Sequence, residues 1–229
     1  MTFPRLRGGF DSRYPHQGII FCLWLALADA IIIGDVKLLI LFGPPSVGKT
    51  TVGKLVESQT DFKLFHNHMV MDGIMHIFGV GSPAEDRLSR VVRTQVIEEA
   101  AETGIDLIFT YIWNFGREKG KTNIDAYKAI YESRGGEVLF VELTAPVEVR
   151  VDRANSPERR RLKVYAPDAE RVAALETKLD FVSPEPFFYP SLYKWIETSD
   201  KPAQEIAREI IVWLGSWTGD SRVDAKVGS

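Results

Sequence analysis

Gly43-Pro44-Pro45-Ser46-Val47-Gly48-Lys49-Thr50 fits the pattern G-x-x-x-x-G-K-[ST], and its flanks supply the context that pattern needs. Lys37-Leu38-Leu39-Ile40-Leu41-Phe42 runs into it as a short apolar segment, readable as a buried parallel strand. Thr50 to Glu57 reads as a helix with Val52, Leu55 and Val56 on one side. Gly43 and Gly48 let the backbone curl, so that the N–H groups of Pro45 to Thr51 that have one can point inward at phosphate oxygens, aided by the positive end of the helix dipole. Lys49 brings a full charge to the outer phosphates, and the Thr50 hydroxyl offers one ligand to Mg²⁺. The stretch therefore predicts a site for a nucleoside triphosphate. The alternative, a glycine-rich turn between any strand and helix, is opposed by strand, loop, Lys-Thr pair and helix all standing in order.

Outward from this loop, the 229 residues are enough for one domain with a sizeable core, and 45% hydrophobic with 26% charged is ordinary globular usage. A net charge of -3 gives a nucleic-acid partner no electrostatic support at the level of the whole chain. One cysteine, Cys22, excludes an intramolecular disulfide and a zinc knuckle, and a reducing, cytoplasmic setting is the natural expectation. Residues 1–35 differ from the rest. Arg5, Arg7 and Arg13 precede an apolar run from Gly18 to Ile33 that imitates a secretory signal, down to Ala28-Asp29-Ala30. That run has 16 residues and contains Asp29, so it is short for a membrane span, which needs about 20 residues. Residues 1–35 are expected to be an extension outside the core. A packing or membrane-peripheral helix and a targeting segment remain open readings.

Past the first helix, Phe62 to Phe65 is a second short strand, ending at His66-Asn67-His68. Met69, Met71, Ile74, Met75 and Phe78 follow at helical spacing. Ser82-Pro83-Ala84-Glu85 joins a capping box to a proline at the first helical position and opens a long helix that stops before Gly104. Asp106 to Trp113 reads as a third strand, Asn123 to Ser133 as a helix, Val138 to Leu143 as a fourth strand, and Pro146 to Ala154 as a helix leading into an arginine-rich stretch. Ala166 to Leu179 reads as helical, Tyr193 to Ile196 as a fifth strand, and Pro202 to Leu214 as the last helix. Strands alternating with helices predict an α/β, three-layer fold: a parallel sheet with helices on both faces and ligands at the carboxyl ends of the strands. Those ends are Gly43 to Thr50, His66 to His68, Trp113-Asn114-Phe115, and Thr144-Ala145-Pro146.

On the phosphate loop, the five-strand order, the arginine-rich segment after the fourth strand and the turn Thr198-Ser199-Asp200-Lys201-Pro202, the chain resembles the small P-loop kinases of the shikimate kinase, adenylate kinase and chloramphenicol phosphotransferase type. Within that group it is similar to uncharacterised shikimate-kinase-like chains, some described as AAA-type ATPases, that carry a Phe-His-Asn-His segment like Phe65 to His68. The resemblance covers about residues 36–215. It implies a P-loop domain over that span with a lid at about 154–168, a flexible tail at 216–229, and transfer of the γ-phosphoryl group of ATP, with Mg²⁺, to a small acceptor.

Arg150, Arg153, Arg159, Arg160, Arg161 and Lys163 stand where these kinases place their lid, and guanidinium groups suit the charge that spreads over a transferring phosphoryl. Arg153 beside the ATP and Arg159 over the transferred group are the chosen pair, although Glu148, Asp152 and Glu158 are interleaved as in a solvated helix face. His66-Asn67-His68 replaces the aspartate that orients the acceptor hydroxyl in the resembled kinases. A neutral imidazole can do that work near pH 7, so His68 is the candidate base, Asp72 the second, and His66 and Asn67 acceptor hydrogen-bonders. Capping of the next helix is the competing use of these side chains. The third strand ends without a carboxylate, Asp106 lying at its other end, which leaves Thr50 as the named Mg²⁺ ligand. Trp113 and Asn114 at that end, with Arg93 on the long helix for an anionic group, complete the acceptor candidates. Three rivals stand beside a kinase: an NTPase with water as acceptor, a nucleotide-binding regulator without turnover, and a nucleic-acid kinase supported only by Arg159-Arg160-Arg161.

Overall fold

The computed structural model describes residues 36–156 and 165–216. Expectations that fall on residues 1–35, on Arg159, Arg160, Arg161 and Lys163, and on residues 217–229 lie outside these. The described elements run β1 Lys37–Phe42, α1 Lys49–Glu57, β2 Lys63–His66, α2 His68–Phe78, α3 Pro83–Glu102, β3 Leu107–Tyr111, α4 Glu118–Ser133, β4 Glu137–Thr144, α5 Val147–Ala154, α6 Ala169–Glu176, β5 Tyr193–Glu197 and α7 Ala203–Ser216. The five strands form one parallel sheet in the order β2-β3-β1-β4-β5.

β1 is central, with Leu38 to Phe42 fully buried, which explains why it reads as a continuous apolar run rather than an alternating one. Its side chains alternate between two cores. Leu38, Ile40 and Phe42 join Ile97 and Ala101 of α3 and Ile124, Tyr127 and Tyr131 of α4. Leu39 and Leu41 join Val52 and Val56 of α1 and Ile206, Ala207 and Ile210 of α7. The sheet is thus covered on both faces, as parallel sheets require, and the three-layer α/β expectation holds.

Local chemistry sets the helix ends. Ser82 accepts the Glu85 N–H at 3.1 Å with Pro83 in the first turn, so α3 starts where the capping signal stands. Among the boundaries that differ from the sequence reading, which include the helix read over Ala166 to Leu179 and found over Ala169–Glu176, two bear on the core. The third strand stops at Tyr111, because its partners Phe42 and His66 end there and at Thr110, and Trp113 turns into the core instead of extending the sheet. Helix α4 starts at Glu118 rather than Asn123: Gly120 in its first turn lies against Trp113, whose indole atoms would stand 3.0 Å from any Cβ there. Apolar periodicity carries no signal for such a contact.

One charged residue of the described strands is buried. Glu142 of β4 is 2% exposed, beside Phe42 in register, and accepts a hydrogen bond from Tyr193 Oη at 2.5 Å. Burial raises its pKa above the usual carboxylate range, and the bonds to Tyr193 and Ser183 only partly oppose this. A carboxyl whose folded pKa is raised contributes its full stability below the unfolded value and loses it as pH rises through the folded one. Glu142→Gln, which keeps an acceptor for Tyr193, is therefore expected to gain thermal stability relative to wild type as pH is raised from about 4.5 to 7.5. Thermal unfolding of both proteins across that range checks this, and a gap between them that does not change with pH would refute it.

Candidate functional site

The loop after β1 curls through three residues of positive φ: Gly43 at 142°, Ser46 at 65° and Gly48 at 106°. At Gly43 the reason is also steric, because a Cβ would stand 2.1 Å from the Leu143 carbonyl oxygen of β4. Gly48 precedes α1, and no side chain caps that helix. Lys49 Nζ donates to the Gly43 carbonyl at 2.8 Å and the Pro44 carbonyl at 2.7 Å. Val47 roots the crest, its side chain buried among Leu41, Leu143 and Val52. Thr50 follows in the first turn of α1 and Thr51 is exposed beyond it.

The crest is also held from behind. Thr198, buried just past β5, has its hydroxyl 3.3 Å from the Val47 carbonyl and 3.0 Å from the Thr144 carbonyl. Arg153, near the end of α5, donates from Nη1 to Thr198 Oγ1 at 3.0 Å and to the Val47 carbonyl at 3.4 Å, and from Nη2 to the Thr198 carbonyl at 2.6 Å. Arg153 therefore stands beside the phosphate loop, as expected, but its guanidinium binds protein oxygens and clamps the loop to β5. Arg150 is likewise structural: 2% exposed, it donates from Nε to the Ala145 carbonyl at 2.9 Å and pairs with Glu176 at 2.7 Å, tying α5 to α6. Local sequence gives no hint that Thr198 is the hub, since its partners come from three distant segments.

On the other side of β1, β2 ends in His66, Asn67 is the N-cap of α2, and His68 is its first residue. Asn67 makes no side-chain cap bond, so the capping use weighed for it is not what the geometry has. His68 Nδ1 lies 2.8 Å from Asp72 Oδ1, one helical turn on. The two candidate bases are thus a single pair, in which a carboxylate accepting from Nδ1–H fixes the tautomer and leaves the lone pair on Nε2. The His66 and His68 rings are 6.5 Å apart. Helix α2 buries none of its residues, and Met69 (62% exposed) and Ile77 (71%) face outward. Arg93 reaches across from α3, its Nη2 against the Met71 sulfur. Its charge is felt by the phenol of Tyr111 at the end of β3, whose pKa burial raises and which bonds Asn123.

Two acceptor candidates at the end of β3 stand elsewhere than expected. Trp113 is 1% exposed, stacked on Phe115 at 4.9 Å and edge-on to Phe42 at 5.3 Å, so its ring belongs to the core and offers no open face. Asn114 Oδ1 accepts from the N–H groups of Gly116 at 3.2 Å and Asp180 at 3.1 Å, holding the loop to the segment before Phe181. An aromatic at a strand end is buried here because a second layer, Phe187 and Phe188, covers it. Asp106 Oδ1 accepts from the Lys37 N–H at 2.6 Å, at the amino end of the sheet, as its position implied. Among the described residues no group of three His, Cys, Asp or Glu could hold a metal.

Among the described residues, buried side-chain atoms with no hydrogen-bond partner include Ser46 Oγ, Asn67 Oδ1 and Thr144 Oγ1, at or just past strand ends, and Arg93 Nε and Arg150 Nη1 on α3 and α5. Folded proteins leave few such groups.

No protein-family model matches the sequence, and no curated protein matches it either. Solved structures do match. A protein of Chloroflexus aurantiacus assigned as a kinase has a TM-score of 0.59 at 14% identity, over 81% of this chain and 99% of the other. A sugar kinase from Janibacter sp. HTCC2649 has 0.53 at 16%, over 79% and 95%. Shikimate kinase from Acinetobacter baumannii, solved with shikimate, has 0.50 at 20%, over 79% and 94%. At these identities the likeness establishes the fold, which is that of the small-molecule P-loop kinases.

The close contact at Gly43 sets a measurable asymmetry between two glycines. Gly43→Ala is expected to cost about 2 kcal/mol or more, lowering the melting temperature by roughly 4–8 °C, because backbone must move. Gly53→Ala should cost less, since its Cβ would meet only the flexible end of Leu64, at 2.8 Å. Equal melting temperatures for the two variants would contradict this reading of the loop.

Proposed function

We propose that this protein is an ATP-dependent phosphotransferase that moves the γ-phosphoryl group to a hydroxyl of a small molecule. The observation that carries the proposal is that a glycine-curled loop ending in Lys49 follows β1 and a His68–Asp72 pair follows β2, both at the carboxyl end of one parallel sheet in which β3 separates the two strands. The loop residues Gly43, Pro45, Ser46, Val47, Gly48 and Thr51 fit a polyphosphate, as the positive-φ curl and the orphaned Ser46 hydroxyl indicate. Thr50 would hold Mg²⁺, which neutralises phosphate charge when bound.

In this reading Lys49 leaves the Gly43 and Pro44 carbonyls for the outer phosphates and stabilises charge developing on the leaving oxygen. His66 and Asn67 hydrogen-bond the acceptor. Arg93, whose nearest partner is a thioether rather than a carboxylate, receives an anionic substituent on it. His68 Nε2 takes the proton of the acceptor hydroxyl while that oxygen forms its bond to the γ-phosphorus and the bond to the β–γ bridging oxygen breaks, releasing ADP. Asp72 stabilises the imidazolium that results. Arg159 is assigned to the transferring group, and Arg153 to keeping the loop in register beside the nucleotide. The catalytic unit is proposed to span residues 36–215 and to act in the cytoplasm, where ATP is supplied.

Lys49→Ala should abolish turnover and weaken ATP binding at least tenfold with melting temperature little changed, since Lys49 is a part-exposed loop residue that bonds the Gly43 and Pro44 carbonyls rather than a core side chain. Calorimetry with ATP tests this, and unchanged affinity would sink the assignment. For the base, ATP consumption is screened against metabolites, nucleosides and nucleoside monophosphates. With an acceptor found, His68→Ala should cut kcat by about 10²- to 10⁴-fold and remove the acidic limb of the pH–rate profile. Asp72→Asn should cut it less, keeping the helix intact. ATP hydrolysis that no acceptor stimulates would instead make water the acceptor.

A further inference from the structure

We propose that Tyr165 is a positioning residue of the phosphotransfer: its hydroxyl bonds His76 at the far end of α2 and so sets the place of the His68 imidazole. This assignment rests on the role given to His68 above and adds a residue that touches neither nucleotide nor acceptor. His76 Nδ1 and Tyr165 Oη, 89 residues apart in sequence, stand 2.9 Å from each other. Either state of the ring keeps the bond, since a bare Nδ1 accepts the phenolic proton and a protonated one donates to the oxygen. The bond matters because α2 buries none of its residues. A helix is ordinarily held by a buried apolar stripe. In α2, Val70 packs on the larger core and Met71 meets Arg93, two contacts within one turn of each other near its start. Those contacts alone would let the helix swing and roll, and Asn67 makes no side-chain cap bond to resist it.

His68, Asp72 and His76 follow one another at intervals of four residues, so they lie along one stripe of α2. A tie at His76 therefore acts on the side of the helix that carries the His68–Asp72 pair. A roll of about 20° carries a side-chain tip about 5 Å from the helix axis through about 2 Å. A misplacement of about 1 Å can cost about 10²-fold in rate. The anchor on the other side is firm. Tyr165 leads into α6, where Asp168 Oδ1 accepts the Arg171 N–H at 2.9 Å and Val172 is fully buried. Glu176 of α6 pairs at 2.7 Å with the buried Arg150 of α5, and Arg153, one turn along α5, holds the loop crest at the Val47 carbonyl. The imidazole and the loop after β1 are thus both referred to α5.

The test uses the full chain, with amide hydrogen exchange, thermal unfolding, and ATP turnover measured with the acceptor found by the screen or, where none stimulates, with water. Tyr165→Phe removes only the hydroxyl. It should raise exchange over residues 74–78 about tenfold or more, with exchange in the strands and the melting temperature unchanged. It should also lower kcat about tenfold or more while leaving the KM for ATP as in wild type. His76→Ala should do the same, and the double variant should be no slower than His76→Ala, because both changes remove one bond. His76→Gln, whose amide can still bond the phenol, should keep most of the rate. Wild-type exchange in α2 or wild-type kcat in Tyr165→Phe overturns the proposal, as do losses that multiply in the double variant. His68→Ala separates this failure from that of the proposed reaction. If His68→Ala loses the rate and Tyr165→Phe does not, only the positioning role falls. If His68→Ala turns over as wild type does, or wild type turns over no ATP, the reading of the site falls and this role with it.

Discussion

The contact on which the rest depends is the approach of the Gly43 backbone to the Leu143 carbonyl, where no side chain has room. It lets the loop after β1 lie directly on the end of β4. From there the Val47 carbonyl reaches Thr198 and Arg153, so the crest of the loop is bonded to segments following β4 and β5. The geometry of the loop is thus a consequence of sheet packing. β1 sits between β3 and β4 with both faces buried, and its end cannot shift without moving two cores. Loops at the carboxyl ends of such a sheet inherit that rigidity, which is what a cradle of fixed backbone donors needs.

The segment after β2 is built differently. Helix α2 buries none of its residues and carries methionines where other helices of this fold carry core side chains. Few buried contacts mean a low cost of local rearrangement, and methionine repacks readily. The loop after β1 is thus held rigidly, while α2 adjusts more readily. Within α2 the exception is the first turn, where the His68–Asp72 bond ties two side chains one turn apart and fixes the imidazole.

The arginine-rich stretch shows how position overrides composition. Arg150 and Arg153 share a helix and a charge, yet one pairs with Glu176 and the Ala145 carbonyl and the other with Thr198 and the loop crest. Neither is a solvated surface charge. Arg153 couples the end of α5 to the loop after β1, and Arg150 ties α5 to α6.

The phosphate loop, the five strands, the Ser82 cap and the both-faces-covered sheet were legible in the sequence, because each follows from residues within one short window. A G-x-x-x-x-G-K-T curl, an apolar run and a capping box are local statements, and local interactions suffice to specify them. His68 and Asp72 were legible as candidates by type and spacing, since an i, i+4 pair on a helix shares a face. Their union at 2.8 Å was decided by rotamer and packing. Trp113, Asn114 and Arg153 were each given a ligand to face, and the folded chain gave them core, loop and carbonyl partners instead, drawn from residues 42, 180 and 198. Nothing in a window of sequence can foresee such partners, because they are brought together only when the strands take the order β2-β3-β1-β4-β5 and the segments between them are laid across their ends. What the sequence by itself determined is therefore the set of elements and the glycine curl after β1, because each is specified within one short window, and what tertiary structure decided is which polar side chains bond within the protein, because their partners come from distant segments.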